Sequence, residues 1–128
     1  NQLYAYNMEL KDPGVFLFLA VCNPGVRAEE VEKEIWNQIE KIKTKGVSED
    51  ELKKIKVNTK AAFIFSMENS SNVADLFGGY LARGDVKPLL AYEENIEKLK
   101  PEIIKTVANR YFKKEKSTTV ILRKEIKQ

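Results

Sequence analysis

Aromatic and aliphatic residues dominate two runs near the amino terminus, residues 3–10 and Val15–Val21, which the turn Asp12-Pro13-Gly14 separates. Proline presets φ and glycine accepts positive φ, so a tight reversal between two strands is expected there. The second run holds no polar side chain. The pattern therefore predicts a β-hairpin whose second strand is buried on both faces at the centre of a sheet.

Apolar residues then recur at helical spacing through most of the chain. A first helix is predicted at residues 27–45, because glutamates lie in its first turns, lysines lie in its last turns and Gly46 follows as a stop. A second helix is predicted to begin at the capping box formed by Ser48 and Glu51 and to reach residue 66 or 67.

Three further helices are predicted before the final segment. The first is capped by Ser70 or Ser71 and ends at Gly84. The second spans residues 89–98, and the third has Pro101 at its first position, where proline loses no helical hydrogen bond.

The segment from Thr118 to Arg123 is rich in β-branched residues, which predicts a strand that returns to the sheet of the hairpin. Helices bunched between strands indicate an α+β fold rather than alternating βαβ units. We therefore expect residues 1–128 to form one α+β unit. Its antiparallel sheet, made of the amino-terminal hairpin and the carboxy-terminal strand, is expected to lie under a layer of four to five helices.

The chain contains no histidine and one cysteine, Cys22, which narrows the chemistry available to it. Without histidine there is no Ser-His-Asp or Cys-His arrangement, no His-x-x-Glu-His helix and few ways to bind zinc. Cys22 ends an apolar run and is expected to be a buried structural thiol. The residues themselves single out no catalytic group and no metal ligand in this chain.

Charged residues are finely interleaved, and 22 basic and 19 acidic side chains leave a net charge of +3. Nucleic-acid-binding proteins usually concentrate their basic residues on one face or arm, so no nucleic-acid partner is expected. No apolar stretch approaches the ~20 residues of a membrane-spanning helix. We expect a soluble protein of bacterial type, in the cytoplasm or the periplasm.

A series of landmarks, in one order along nearly the whole chain, resembles the pitrilysin/insulinase family of zinc metallopeptidases. These landmarks are Asp12-Pro13-Gly14-Val15-Phe16, Asn23-Pro24-Gly25, Gly46-Val47-Ser48-Glu49-Asp50-Glu51-Leu52 and Val107-Ala108-Asn109-Arg110-Tyr111-Phe112. The resemblance is to the carboxy-terminal part of the non-catalytic domain, so the chain is expected to be a partial metallopeptidase-like domain and a fragment of a longer polypeptide.

The resemblance implies a function for the parent protein. In this family a His-x-x-Glu-His helix and a distant Glu of the first domain bind zinc, which activates water for peptide-bond hydrolysis. The second domain closes over the peptide and contributes an Arg and a Tyr that polarise the scissile carbonyl. This chain is thus expected to form a wall of the peptide chamber and to pack on the catalytic half, in the same chain or in a separate subunit. Zinc is expected there, and this fragment alone is expected to have no activity.

Three residues are candidates for contacts. The resemblance places the carbonyl-polarising tyrosine near the amino terminus, so Tyr4 and Tyr6 are the candidate substrate contacts, with ordinary strand aromatics as the competing interpretation. The family's Arg is expected upstream of Asn1. Trp36 lies one residue beyond the apolar stripe of its helix and is a candidate interface anchor, with packing within the domain as the alternative.

Two alternatives stay open from the sequence. The chain is also compatible with the second half of the catalytic domain, in which case Glu49, Glu51 or Glu68 is the third zinc ligand, although residues 53–66 hold no carboxylate. The other alternative is a structural or interaction module, like the non-peptidase members of the family or the inactive subunit of a two-chain protease.

Overall fold

The predicted hairpin is the one sheet in residues 2–123, the range that a computed structural model describes. Strands β1 (Gln2–Met8) and β2 (Val15–Val21) pair in antiparallel register. Gly14 leads directly into β2, and a Cβ atom added there would collide with the carbonyl oxygen of Met8. The turn therefore needs glycine for the close approach of the two strands, and not for the positive φ on which the prediction rested, since the φ of Gly14 is not positive.

The two faces of the hairpin carry different side chains. Tyr4 lies opposite Leu19 and Tyr6 lies opposite Leu17, and directly opposed residues of an antiparallel pair share a face. We call the face with these four residues the tyrosine face. Because side chains alternate along a strand, the other face presents the aromatic residues Phe16 and Phe18.

Six helices follow the hairpin in the described range, and together with the hairpin they confirm the α+β class. They are α1 (Ala28–Lys45), α2 (Glu49–Phe65), α3 (Ser70–Ala82), α4 (Lys87–Leu90), α5 (Tyr92–Glu97) and α6 (Pro101–Tyr111). The helix predicted at residues 89–98 is two short helices that meet at Ala91. The cap of α3 is Asn69 rather than Ser70 or Ser71, since its side chain accepts the backbone N–H of Asn72 at 2.9 Å.

The small core lies among the helices. The buried apolar residues of the described range are Ile39, Leu52, Leu89 and Ala108. Helix α6 packs along α1, where the Asn109 side chain donates to the Lys43 carbonyl at 2.9 Å and the Lys105 ammonium donates to the Thr44 carbonyl at 2.6 Å. These two side chains satisfy carbonyls at the end of α1 that would otherwise lack a helical partner.

Three expectations about the sheet and its surroundings are wrong for this structure. Residues 117–123 are not a strand, although the backbone at Ser117 is extended and Val120 and Leu122 are exposed. Strand β2 is largely exposed rather than buried, because β1 is its one paired neighbour in the described range. Cys22, at the end of β2, is therefore half-buried rather than fully buried.

The capping box at the start of α2 is confirmed and supports a stability prediction. The Ser48 hydroxyl accepts the Glu51 N–H at 3.2 Å, and the Glu51 carboxylate accepts the Ser48 N–H at 2.9 Å. We expect Ser48→Ala to lower the free energy of unfolding by about 1 kcal/mol, measured by chemical denaturation. Ser71→Ala, in the first turn of α3 but not its cap, is the control and should change stability little; an equal loss in both variants would contradict the prediction.

Candidate functional site

The tyrosine face is an exposed aromatic and aliphatic surface. Tyr4 is 52% exposed and Tyr6 is 49% exposed, and Leu19, which lies opposite Tyr4, is 60% exposed. Neither β1 nor β2 contains a charged residue. The structure thus brings both candidate tyrosines to one side of the hairpin, with two hydroxyl groups as hydrogen-bond donors on an otherwise apolar surface.

The ring of Phe112 contacts the opposite face of the hairpin. The ring of Phe112, which follows α6, lies edge-on to Phe16 with ring centroids 5.0 Å apart, and its centroid is 6.0 Å from that of Phe18. Such edge-to-face pairs add to the stability that apolar burial provides. The tyrosine face therefore points away from the Phe112 side of the unit.

A charged contact joins the end of β1 to α3. The Arg83 guanidinium lies 3.6 Å from the Glu9 carboxylate and 4.3 Å over the ring of Tyr80. Partial burial, together with the negative charge of Glu9, raises the pKa of the Tyr80 hydroxyl above its usual value. Tyr80 is neutral at neutral pH and stacks with Arg83, so this cluster is a contact between the end of the hairpin and α3.

Trp36 is half-buried on α1, whereas the tyrosine face lies on the hairpin. One turn before it, Glu32 accepts a hydrogen bond from the Thr119 hydroxyl at 2.8 Å, so the carboxy-terminal segment runs along this part of α1. Arg123 continues the contact by pairing with Glu29, whose pKa is lowered chiefly by hydrogen bonding to its own backbone N–H and further by Arg123. Trp36 thus lies on the helix that the carboxy-terminal segment follows, whereas Tyr4 and Tyr6 lie on the hairpin.

The glutamates considered as zinc ligands do not form a metal site. Glu51 is engaged in the capping box, and hydrogen bonds from Ser48 lower its pKa. Among residues 2–123, no three His, Cys, Asp or Glu side chains come together in a way that could hold a metal ion. With no histidine in the sequence, the donor set of this chain does not fit a zinc centre of the family's kind.

A shallow groove between α2 and α5 was not anticipated from the sequence. Its walls include Lys53, Lys56 and Lys60 of α2, and its volume is about 400 Å³. The Lys56 ammonium donates to the Glu97 carbonyl at 2.7 Å, and Lys60 pairs with the Glu97 carboxylate and lowers its pKa. The spacing of the lysines along α2 does not predict this contact, because nothing in the sequence shows that the end of α5 lies beside α2.

In the described part of the chain, no helix combines the length and the apolar character that crossing a bilayer requires.

Comparison with known proteins shows which class of protein this chain resembles. Residues 1–58 match the family model of the peptidase M16 inactive domain. The chain is similar to this pitrilysin/insulinase-type family, and it resembles the carboxy-terminal part of the family's inactive domain. The family model that matches is that of an inactive domain, which favours this interpretation over the catalytic-domain alternative with Glu49, Glu51 or Glu68 as a zinc ligand.

Two relatives place the chain more narrowly. A zinc protease PqqE of Helicobacter pylori is 45% identical over 123 residues, which are 96% of this chain and 28% of that protein. A solved structure, described as a protease from Helicobacter pylori, is also 45% identical, with a TM-score of 0.81 over 88% of this chain and 27% of that one. The chain thus spans less than a third of the length of these relatives.

Proposed function

We propose that this chain is the non-catalytic carboxy-terminal part of a zinc-dependent metalloendopeptidase. The observation that carries the proposal is the 45% identity to a zinc protease along 96% of the chain, with the match to an inactive domain beside it. In this proposal the peptide bond is hydrolysed elsewhere, by a catalytic half in the same chain or in a partner subunit. Zinc belongs to that half, because the donor set here does not fit it.

The tyrosine face is the proposed wall of the peptide chamber. It offers two phenol hydroxyls, at Tyr4 and Tyr6, on an uncharged apolar surface. When the peptide and the catalytic half cover this face and exclude water, a hydroxyl there is a strong hydrogen-bond donor to a peptide carbonyl. The roles of the two residues are to orient the substrate and to polarise its carbonyl.

The proposal is tested on the complete polypeptide that carries this chain. We expect the purified protein to contain stoichiometric zinc by elemental analysis and to cleave a mixed peptide library. Removing zinc with a chelator should abolish cleavage, and adding zinc back should restore it.

The contrary result is equally informative. If the complete polypeptide contains no zinc, and does not cleave peptides even with the protein encoded beside its gene, the proposal is wrong. The structural or interaction module would then be the better interpretation.

A further inference from the structure

Helix α2 has apolar residues on two sides, and the chain covers one of them. On the covered side, Leu52 is buried and the Phe63 ring stacks on Tyr92 of α5, with ring centroids 4.5 Å apart. Successive residues of a helix are rotated by about 100°, which places Val57, Ala61 and Ile64 about 110–170° from that side. We call these three residues, with Phe65 beside them, the outer face of α2.

No other part of residues 2–123 covers the outer face of α2, which is exposed to solvent. Val57 is 61% exposed, Ile64 is 57% exposed and Phe65 is 64% exposed. A surface helix normally keeps its outward side polar, whereas a helix that is apolar all round is normally buried. The sequence of α2 therefore indicates a packing partner on its outer side.

The amount of exposed surface supports the same conclusion. The whole chain of 14.7 kDa exposes 10724 Å² of accessible surface, whereas a folded monomer of that mass exposes about 6,900 Å². The difference of about 3,800 Å² is spread over the whole chain, the hairpin included, and exceeds the roughly 800 Å² that each partner of a standard interface buries. The relatives that match this chain are more than three times as long, so polypeptide for such an interface exists in them.

The spacing of the apolar residues on the outer face specifies what fits it. Val57, Ala61 and Ile64 recur at intervals of four and three residues, which is the seam of a helix–helix contact, and the small Ala61 at its middle permits close approach. Lys54 lies one turn before Val57, and residues 52–67 contain no carboxylate. Asp50 lies one turn before Lys54 on the same face, so the charges at this end are mixed, and the apolar spacing is what specifies a helix as the partner.

We propose that the outer face of α2 packs against the apolar side of an amphipathic helix, supplied by the part of the polypeptide outside residues 1–128. The inference deepens the proposed function by naming the surface used for packing on the remainder of the protein. It rests on the proposed function in one respect, namely that a longer polypeptide carries this chain, and it does not depend on peptide binding.

Cysteine labelling of the complete polypeptide tests the contact. In a Cys22→Ser background, Ile64→Cys is compared with Lys33→Cys, a control at an exposed polar position of α1. We expect maleimide to label position 64 at least about tenfold more slowly, because labelling then requires local opening of the contact. Equal rates would overturn the inference. Protection that disappears on dilution would overturn it as well, since a second copy would then cover the face.

Substitution of Ala61 supplies an independent test of close helix packing. We expect Ala61→Phe to lower the Tm of the complete polypeptide and Ala61→Ser to leave it nearly unchanged, because only the large ring would force the helices apart. Ala61 is exposed within this chain, so an unchanged Tm in Ala61→Phe would count against the partner helix. If position 64 is protected but the complete polypeptide cleaves no peptide, the proposed function is wrong and the inference about α2 still stands.

Discussion

Removing the hydroxyl of Tyr4 or of Tyr6 is expected to lower kcat for peptide cleavage by about 100-fold in at least one of the two single variants. Tyr→Phe keeps the ring and its packing, so the substitution isolates the hydrogen-bond donor. A donor that acts on the carbonyl as negative charge develops contributes to the transition state more than to substrate binding, so KM should change little. The measurement is steady-state kinetics of the complete polypeptide on one peptide substrate.

Tyr111→Phe is the matched control for these variants. Tyr111 is also exposed, but it lies at the end of α6 rather than on the hairpin, so its substitution should leave kcat unchanged. If both Tyr4→Phe and Tyr6→Phe keep the kcat of the unmodified protein, the two residues are ordinary strand aromatics. A rise in KM with constant kcat would also contradict a role in carbonyl polarisation.

The largest loss of stability is expected for Leu89→Ala, which should cost about 2–5 kcal/mol of the free energy of unfolding. Leu89 is 4% exposed, whereas its neighbour Leu90 in α4 is 70% exposed. Truncating Leu89 leaves a cavity that its surroundings fill only in part, while truncating Leu90 leaves none. Leu90→Ala is therefore a control of identical chemistry one residue away, and it should cost below about 0.5 kcal/mol.

Chemical denaturation monitored at the helices compares the two leucine variants. A similar cost for both would show that α4 is packed on a side that this structure leaves open. A small cost for Leu89→Ala alone would show that the core among the helices contributes less than its burial indicates.

The helices were the part of the fold that the sequence predicted best, because their signals are local. The capping residues Ser48 and Glu51 satisfy each other within one turn, and Gly46 adopts positive φ where α1 ends. Pro101 likewise lies at the first position of α6, as its sequence signal predicts. Such features depend on residues three or four positions apart, so they form whatever surrounds them.

The sheet was predicted less well, because strands depend on neighbours that are distant in sequence. The apolar pattern of β2 predicts burial on both faces, and Thr118–Arg123 has the composition of a strand, yet neither meets a further strand in residues 2–123. Tyr4 and Tyr6 lie two residues apart in one predicted strand and so share a face, whereas the register that sets Leu19 and Leu17 opposite them is known from the structure. That the tyrosine face is exposed rather than covered did not follow from any local pattern.

The hairpin also has a consequence for the handling of the protein. Both outer strand edges are unpaired in the described range, and β1 and β2 contain no charged residue or proline. Natural proteins guard free strand edges with charges, prolines or bulges, because an unguarded edge recruits strands from other molecules. A proteolytic cut that released this segment would therefore produce a seed for β-sheet aggregation, and integrity of the polypeptide becomes a condition of its solubility.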